Sequence, residues 1–446
     1  MKRYLLEKLI EWKYGNRRKP LILQGARQVG KTWLMKEFGR LEYKKTVYIT
    51  FDRNENLKNA FKDYTNIKEL ITKIEIDAQL KITPNDTLII FDEIQECPDA
   101  ITSLKYFYEK APELHIIVAG SLLGLAHHSG TGFPVGKVNF MTLYPLNFME
   151  FLNANGEELL TKTLIEGNIK IANTFSLKLT DYLKYYFYVG GMPEAVQSFI
   201  NNRDFKEVRE IQNEIILSYN GDFSKHTDSN MAERIKMVWN SISSQLAKEN
   251  KKFIYNAIKT GARAKDFEIA LAWLRDSGLV YKVTRISKPN LPIKAYEDID
   301  VFKLYVLDVG ILGALANLSA KTIIDGNNIF TEFKGSLTEQ YVLQQLKNNF
   351  SEIYYWTSKS YVAEIDFIIQ IEDYIVPIEV KATKNLKAKS LQQYIKDYLP
   401  NKSIRTSLAD YKINDNNLYD IPLYAINNID SIIKMTDRTT VEQLKS

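Results

Sequence analysis

Cysteine is almost absent from this chain. Cys97 is the sole one among 446 residues, so a disulfide framework and a thiolate zinc site are both excluded. Histidine is scarce too, with four in all. None falls at a metal-ligand spacing, and the adjacent pair His127-His128 cannot reproduce helical i, i+4 ligation. No apolar run approaches the roughly 20 residues a membrane span needs. The opening "MKRYLLEKLIEWKYG" is an amphipathic helix with charges throughout and no secretory apolar region; a cytoplasmic protein without a membrane partner is expected. Charge of one sign does not dominate, since 59 Lys and Arg face 54 Asp and Glu for a net of +5. Hydrophobic content of 45% and charged content of 25% are ordinary for a soluble globular chain. The length suggests about two to four domains.

What is present is more specific. In "KPLILQGARQVGKTWLMKEF", Leu21 to Leu23 form a short buried strand. Gly25, Ala26, Arg27, Gln28, Val29, Gly30, Lys31 and Thr32 follow as a Gly-x4-Gly-Lys-Thr loop, and a helix with Leu34, Met35 and Phe38 on its apolar side completes the unit. Strand, glycine-rich loop and helix are the setting a phosphate-binding loop requires. Gly25 and Gly30 let main-chain N–H groups curl around phosphate oxygens, and the helix N-terminus adds a positive dipole end. Lys31 would reach the β- and γ-phosphates of ATP, and the Thr32 hydroxyl would coordinate Mg²⁺.

A second apolar strand, in "DTLIIFDEIQECP", ends in Asp92-Glu93. Asp92 would hold the Mg²⁺ water shell, and Glu93 would polarise the attacking water. A third, in "LHIIVAGS", ends at Ser121, a candidate γ-phosphate sensor; a simple Gly-Ser turn is the alternative. With "TVYITFD", Thr46 to Asp52, these strands predict an alternating β/α parallel sheet.

The strings "GARQVGKT", "FDEIQECP", "VAGS", "PVGKV", "LYPLNFMEFL", "YVGGMPEAV" and "FKLYVLDVGIL" occur in an order that resembles a group of prokaryotic AAA+-like P-loop ATPases. The C-terminal part of that group is labelled a domain of unknown function, of the DUF4143 type. The resemblance runs from about residue 17 to residue 385. It implies binding and catalytic roles for Lys31, Thr32, Asp92 and Glu93. Where many relatives carry Gly-Arg, this chain has Gly136-Lys137, and lysine lacks the bidentate fork of arginine.

Residues 231–310 hold 14 Lys and Arg against 9 Asp and Glu, and residues 381–405 hold seven basic residues and one acid. Such zones suit a polyanion. A helix, a turn at Gly261, a second helix and the strand pair "LVYKVTRI" and "FKLYVLD" match a winged helix-turn-helix. Lys259, Arg263, Lys265 and Arg275 lie near its would-be recognition helix, and an interdomain packing module is the alternative.

The last segment, "VAEIDFIIQIEDYIVPIEVKAT", reads as two strands around a turn at Glu372-Asp373. With that turn, Asp366 falls opposite Glu379, and Lys381 shares the face of Glu379. Charged groups in apolar strands are costly unless paired or bound to a metal. A preceding helix carries Glu339. Helix acid, strand Asp and Glu-x-Lys resemble the PD-(D/E)XK nuclease-like order. On that reading Glu339, Asp366 and Glu379 bind Mg²⁺, and Lys381 orients or activates water. An ordinary ion pair on an exposed face is the alternative.

The expected architecture is α/β in four parts. Residues 1–165 form the ATPase core with its P-loop NTPase parallel sheet, 166–230 a helical lid, 231–310 the winged helix, and 320–446 a PD-(D/E)XK-like α/β domain. The expected activity is ATP hydrolysis coupled to DNA. The other reading is a nucleotide-switched protein whose C-terminal domain docks a protein partner without cutting DNA; a second copy of the chain is a further candidate partner.

Overall fold

Short runs of Leu, Ile and Val between polar turns build a parallel sheet in the first part of the chain. The computed structural model describes residues 1–52, 54–120, 132–248, 251–325, 331–360, 362–384, 386–415 and 417–433. These fall into two compact units. One holds Lys2–Tyr144 together with Ala272–Leu279; the other holds Pro145–Leu271 and the chain from Val280 onward.

The first unit contains strands β1 (Leu21–Gln24), β2 (Lys45–Thr50), β3 (Thr87–Asp92), β4 (His115–Ala119) and β5 (Asn139–Thr142), in the order β2-β3-β4-β1-β5. Every pairing is parallel. All six residues of β3 are buried, as a central parallel strand covered on both faces requires. Phe51, Phe61 and Phe91 meet edge to face in the core, with centroids 5.3 to 5.7 Å apart. The helix Lys31–Glu42 buries Leu34, Met35 and Phe38, as its sequence pattern predicts.

In the second unit, the helix Ser176–Val189 stops at Gly190, and Pro193 opens the next helix at its first turn. Its eight-stranded sheet comprises β6 (Val280–Ile286), β7 (Glu297–Val306), β8 (Tyr354–Thr357), β9 (Glu364–Ile371), β10 (Tyr374–Val380), β11 (Ser403–Ser407), β12 (Lys412–Asn414) and β13 (Leu418–Pro422). The order is β12-β13-β11-β10-β9-β8-β6-β7. The strand pair expected as a wing, β6 and β7, does pair antiparallel. It is not a free wing, however, because β6 also pairs in parallel with β8 and extends the C-terminal sheet. Burial agrees with this: five of the seven residues in β6 are buried, where a solvent-facing wing would alternate.

Family-like strings that carry no obvious chemistry meet in this unit. The fully buried Asp308 accepts hydrogen bonds from Gly191 N at 2.6 Å, Ile311 N at 3.0 Å and Gln344 Nε2 at 2.8 Å. A side chain at Gly190, whose φ is +71°, would place Cβ 2.1 Å from Asp308 Oδ1. Gln345 Oε1 caps Phe148 N at 2.8 Å, and Gln340 bonds both main-chain groups of Val306. "YVGGMPEAV", "LYPLNFMEFL" and "YVLDVGIL" are thus conformational: they satisfy buried polar groups that would otherwise destabilise the core.

Candidate functional site

Between β1 and the helix Lys31–Glu42 the chain turns through left-handed residues, with φ of +140° at Gly25, +66° at Gln28 and +95° at Gly30. Such a loop curls successive N–H groups toward one centre and forms an anion nest. Gly25 is obligatory, since a Cβ there would lie 2.3 Å from Leu143 O. On another side the loop is flanked by Gly278, at φ +77°, where an added Cβ would sit 3.2 Å from Ala26 N.

Lys31 is buried, and its ammonium donates to Gly25 O at 2.8 Å and Ala26 O at 2.7 Å. Burial is the largest influence and brings its pKa down to about 8, with Glu93 and Asp92 opposing that shift. The lysine is folded onto the loop's own carbonyls, neutral acceptors that a phosphate can outcompete.

Thr32 Oγ1 donates to Asp92 Oδ2 at 2.6 Å, and Asp92 is buried at the end of β3. A hydroxyl and a carboxylate so joined are the oxygen donors Mg²⁺ takes in nucleotide sites. Tyr48 from β2 donates to the same Asp92 oxygen at 3.0 Å. Glu93 adopts φ +49°, a left-handed position that bulky residues avoid. Gln95 Nε2 donates to Glu93 Oε2 at 2.6 Å. Sequence reasoning missed Tyr48 and Gln95. The exposed slot of Tyr48 in the alternating β2 is its only signal. Ser121 lies outside the described residues. Lys137 pairs with Glu109 at 3.0 Å.

In the second unit the hairpin register is the expected one. Tyr374 pairs with Ile371 and Ile378 with Phe367, which sets Glu379 across from Asp366. Val380 N donates to Asp366 Oδ2 at 2.8 Å, and Lys381 Nζ to Glu379 Oε1 at 2.7 Å. Glu339, Asp366 and Glu379 lie close enough to act electrostatically on one another. Burial first, then Glu339 and Glu379, push the Asp366 carboxyl well above its usual range.

The charges are met by lysines that sequence reasoning did not connect to them. Lys251 pairs with Glu339. Lys303, on β7 and fully buried, bonds Glu364 Oε1 at 2.5 Å and lies 3.9 Å from Glu339. Tyr305 OH donates to Glu339 Oε2 at 3.2 Å. Among the described residues, no three His, Cys, Asp or Glu side chains are placed to hold a metal ion. As the side chains stand, Glu339, Asp366 and Glu379 therefore do not fit Mg²⁺.

The basic zone is likewise divided. Lys384, Lys387, Lys389 and Lys396 are exposed. Arg405 is buried and bidentate to Asp420, at 2.7 and 3.0 Å, because β11 and β13 pair those two residues. In the middle zone, Lys259, Arg263, Lys265 and Arg275 are exposed, but Arg275 is bonded to the adjacent Asp276.

Comparison with known families matches residues 17–152 to an AAA domain, 180–322 to a domain of unknown function (DUF8612) and 334–425 to a domain of unknown function (DUF4143). No curated protein matches the chain. Among solved structures, it resembles the Walker-type ATPase PABY2304 of Pyrococcus abyssi at 15% identity and a TM-score of 0.45, covering 71% of this chain and 95% of that one. The ORC1 protein of Aeropyrum pernix, solved in complex with DNA, follows at 12% identity and 0.27, covering 70% and 90%. A signal-transduction ATPase with numerous domains, PH0952 of Pyrococcus horikoshii, stands at 14% and 0.26, covering 78% and 45%.

Proposed function

From the AAA domain and the DUF4143 domain that this chain carries, we propose that the protein binds ATP with Mg²⁺ and hydrolyses it at the loop Gly25–Thr32. The observation that carries this reading is the meeting of Lys31, Thr32 and Asp92 at one loop, with Glu93 next to Asp92. Main-chain N–H groups and the helix N-terminus would hold the phosphates, and Lys31 would leave its two carbonyls for the β- and γ-oxygens. Thr32 and Asp92 would hold Mg²⁺, which would supply positive charge against the phosphates. Glu93, held by Gln95, would accept a proton from the water attacking the γ-phosphorus. That bond forms as the bond to the ADP oxygen breaks. Glu93→Gln should retain ATP binding and lower turnover about 10²- to 10⁴-fold; turnover at the parental rate would remove Glu93 from this role.

DNA is the partner we propose for the exposed lysines at 384, 387, 389 and 396. Binding through phosphates should weaken steeply with salt, and a flat salt dependence would eliminate that partner. The alternative, a nucleotide-switched protein whose C-terminal domain docks without cutting DNA, is favoured by Lys251 and Lys303 beside the carboxylates.

A further inference from the structure

Four carboxylates, Glu339, Glu364, Asp366 and Glu379, gather beside β7, β9 and β10, and three ammonium groups face them. Lys381 neutralises Glu379 from two residues away on the same segment. Lys251 neutralises Glu339, and Lys303 lies between Glu339 and Glu364. Lys303 cannot swing out at low cost. Its side chain is fully buried, and its ammonium stands 4.9 Å from the centre of the Tyr355 ring. One oxygen, Glu379 Oε2, is buried with no hydrogen-bond partner among the described residues.

We propose that Lys251 and Lys303 are built-in counter-cations that take the place of a divalent metal ion, so that this nuclease-like carboxylate set is sealed against Mg²⁺ and does not cleave DNA. The reasoning is steric and electrostatic. Mg²⁺ demands oxygen ligands at about 2.0–2.1 Å in an octahedron. Of the three carboxylates a metal would need, Glu339 is already paired with Lys251 and has the Lys303 ammonium 3.9 Å away, and Glu379 is paired with Lys381 at 2.7 Å, so those oxygens are engaged by ammonium groups. A cation entering beside two resident ammoniums meets like charge in a poorly screened interior.

The residues also show what the Asp…Glu-x-Lys pattern does for the fold itself. Asp366 accepts the Val380 N–H across the hairpin, and Glu339 anchors Lys251 and Tyr305. Each acid has a structural partner, so the pattern holds the sheet and helix in register. This inference concerns the second unit alone. It deepens the docking reading above and does not depend on ATP hydrolysis.

The test is Mn²⁺ titration of the full, nucleotide-free chain, followed by calorimetry and by electron paramagnetic resonance of free Mn²⁺. Asp366→Asn serves as the marker of the site. The parent should show no saturable Mn²⁺ site that Asp366→Asn removes. Lys251→Met with Lys303→Met should gain one saturable site, and adding Asp366→Asn should abolish it. Should the double variant fail to fold, Lys251→Met alone, at the less buried of the two lysines, should gain a weaker site of the same kind. A parent site lost in Asp366→Asn overturns the proposal. So does Mn²⁺-dependent nicking of plasmid DNA by the parent that Asp366→Asn abolishes. A folded double variant that gains no site overturns the role given to the lysines. ATP turnover, measured in the same variants, reports separately on the loop Gly25–Thr32.

Discussion

Two buried lysines in this chain have opposite lives. Lys31 rests on two main-chain carbonyls, and burial brings its pKa down to about 8. Lys303, though still more buried, lies among Glu364, Glu339 and Tyr305, and its pKa is raised well above the ordinary lysine value. Burial lowers both; only Lys303 has anionic partners strong enough to reverse it. A lysine on neutral acceptors is available to an incoming phosphate. A lysine among carboxylates is already engaged, and its charge belongs to the fold.

The comparison breaks most sharply at Lys303. Lys303→Met leaves Glu364 without its cation and Glu339 with Lys251 alone, and should cost about 3–5 kcal/mol of stability. Urea denaturation would measure it, and a loss near zero would mean that the cluster does not need this charge.

Lys31→Met should have the opposite profile. ATP binding should disappear while stability stays within about 1 kcal/mol of the parent, because no buried anion loses its partner. The same contrast sets a pH dependence. ATP needs the ammonium form, and the free protein gives it up near pH 8. ATP affinity should therefore hold below about pH 8 and fall about ten-fold per pH unit above it. Isothermal titration across this range would show it, and a flat profile would detach Lys31 from the phosphates.

The smallest effect is expected at Asp366. Its carboxyl binds a proton more tightly in the folded chain than in the unfolded one. Stability is therefore lost as pH rises from the unfolded value of 3.8 through the raised folded value. Asp366→Asn removes that loss and keeps an acceptor for Val380 N. The variant should be more stable at neutral pH by about 1 kcal/mol, and a lower melting temperature would show that the negative charge is needed.

Both lysines sit in apolar surroundings in the sequence, yet only one could be recognised there. Lys31 is fixed by a loop whose partners lie within six residues, so local spacing suffices. The Asp366–Glu379 register was equally legible, because a tight turn determines all the pairs beyond it. Lys303 meets Glu364 across 61 positions and Lys251 meets Glu339 across 88. No local pattern announces either. The parallel pairing of β6 with β8 is of the same kind; it turned an expected wing into part of a larger sheet. Arg405 and Asp420 follow suit, adjacent only because β11 and β13 run side by side. Tyr48 and Gln95 escaped for a different reason, since each acts on a motif carboxylate without belonging to a motif.

The close approach of Gly278 to Ala26 has a consequence for protease digestion. The matched AAA domain ends at residue 152, yet the unit that holds it also takes in Ala272–Leu279. The polypeptide therefore crosses between the two units at 144/145, at 271/272 and at 279/280. One cut after Tyr144 would leave the N-terminal fragment still packed around Ala272–Leu279. Cleavage at all three crossings is needed before that unit can come away with Ala272–Leu279 still in it.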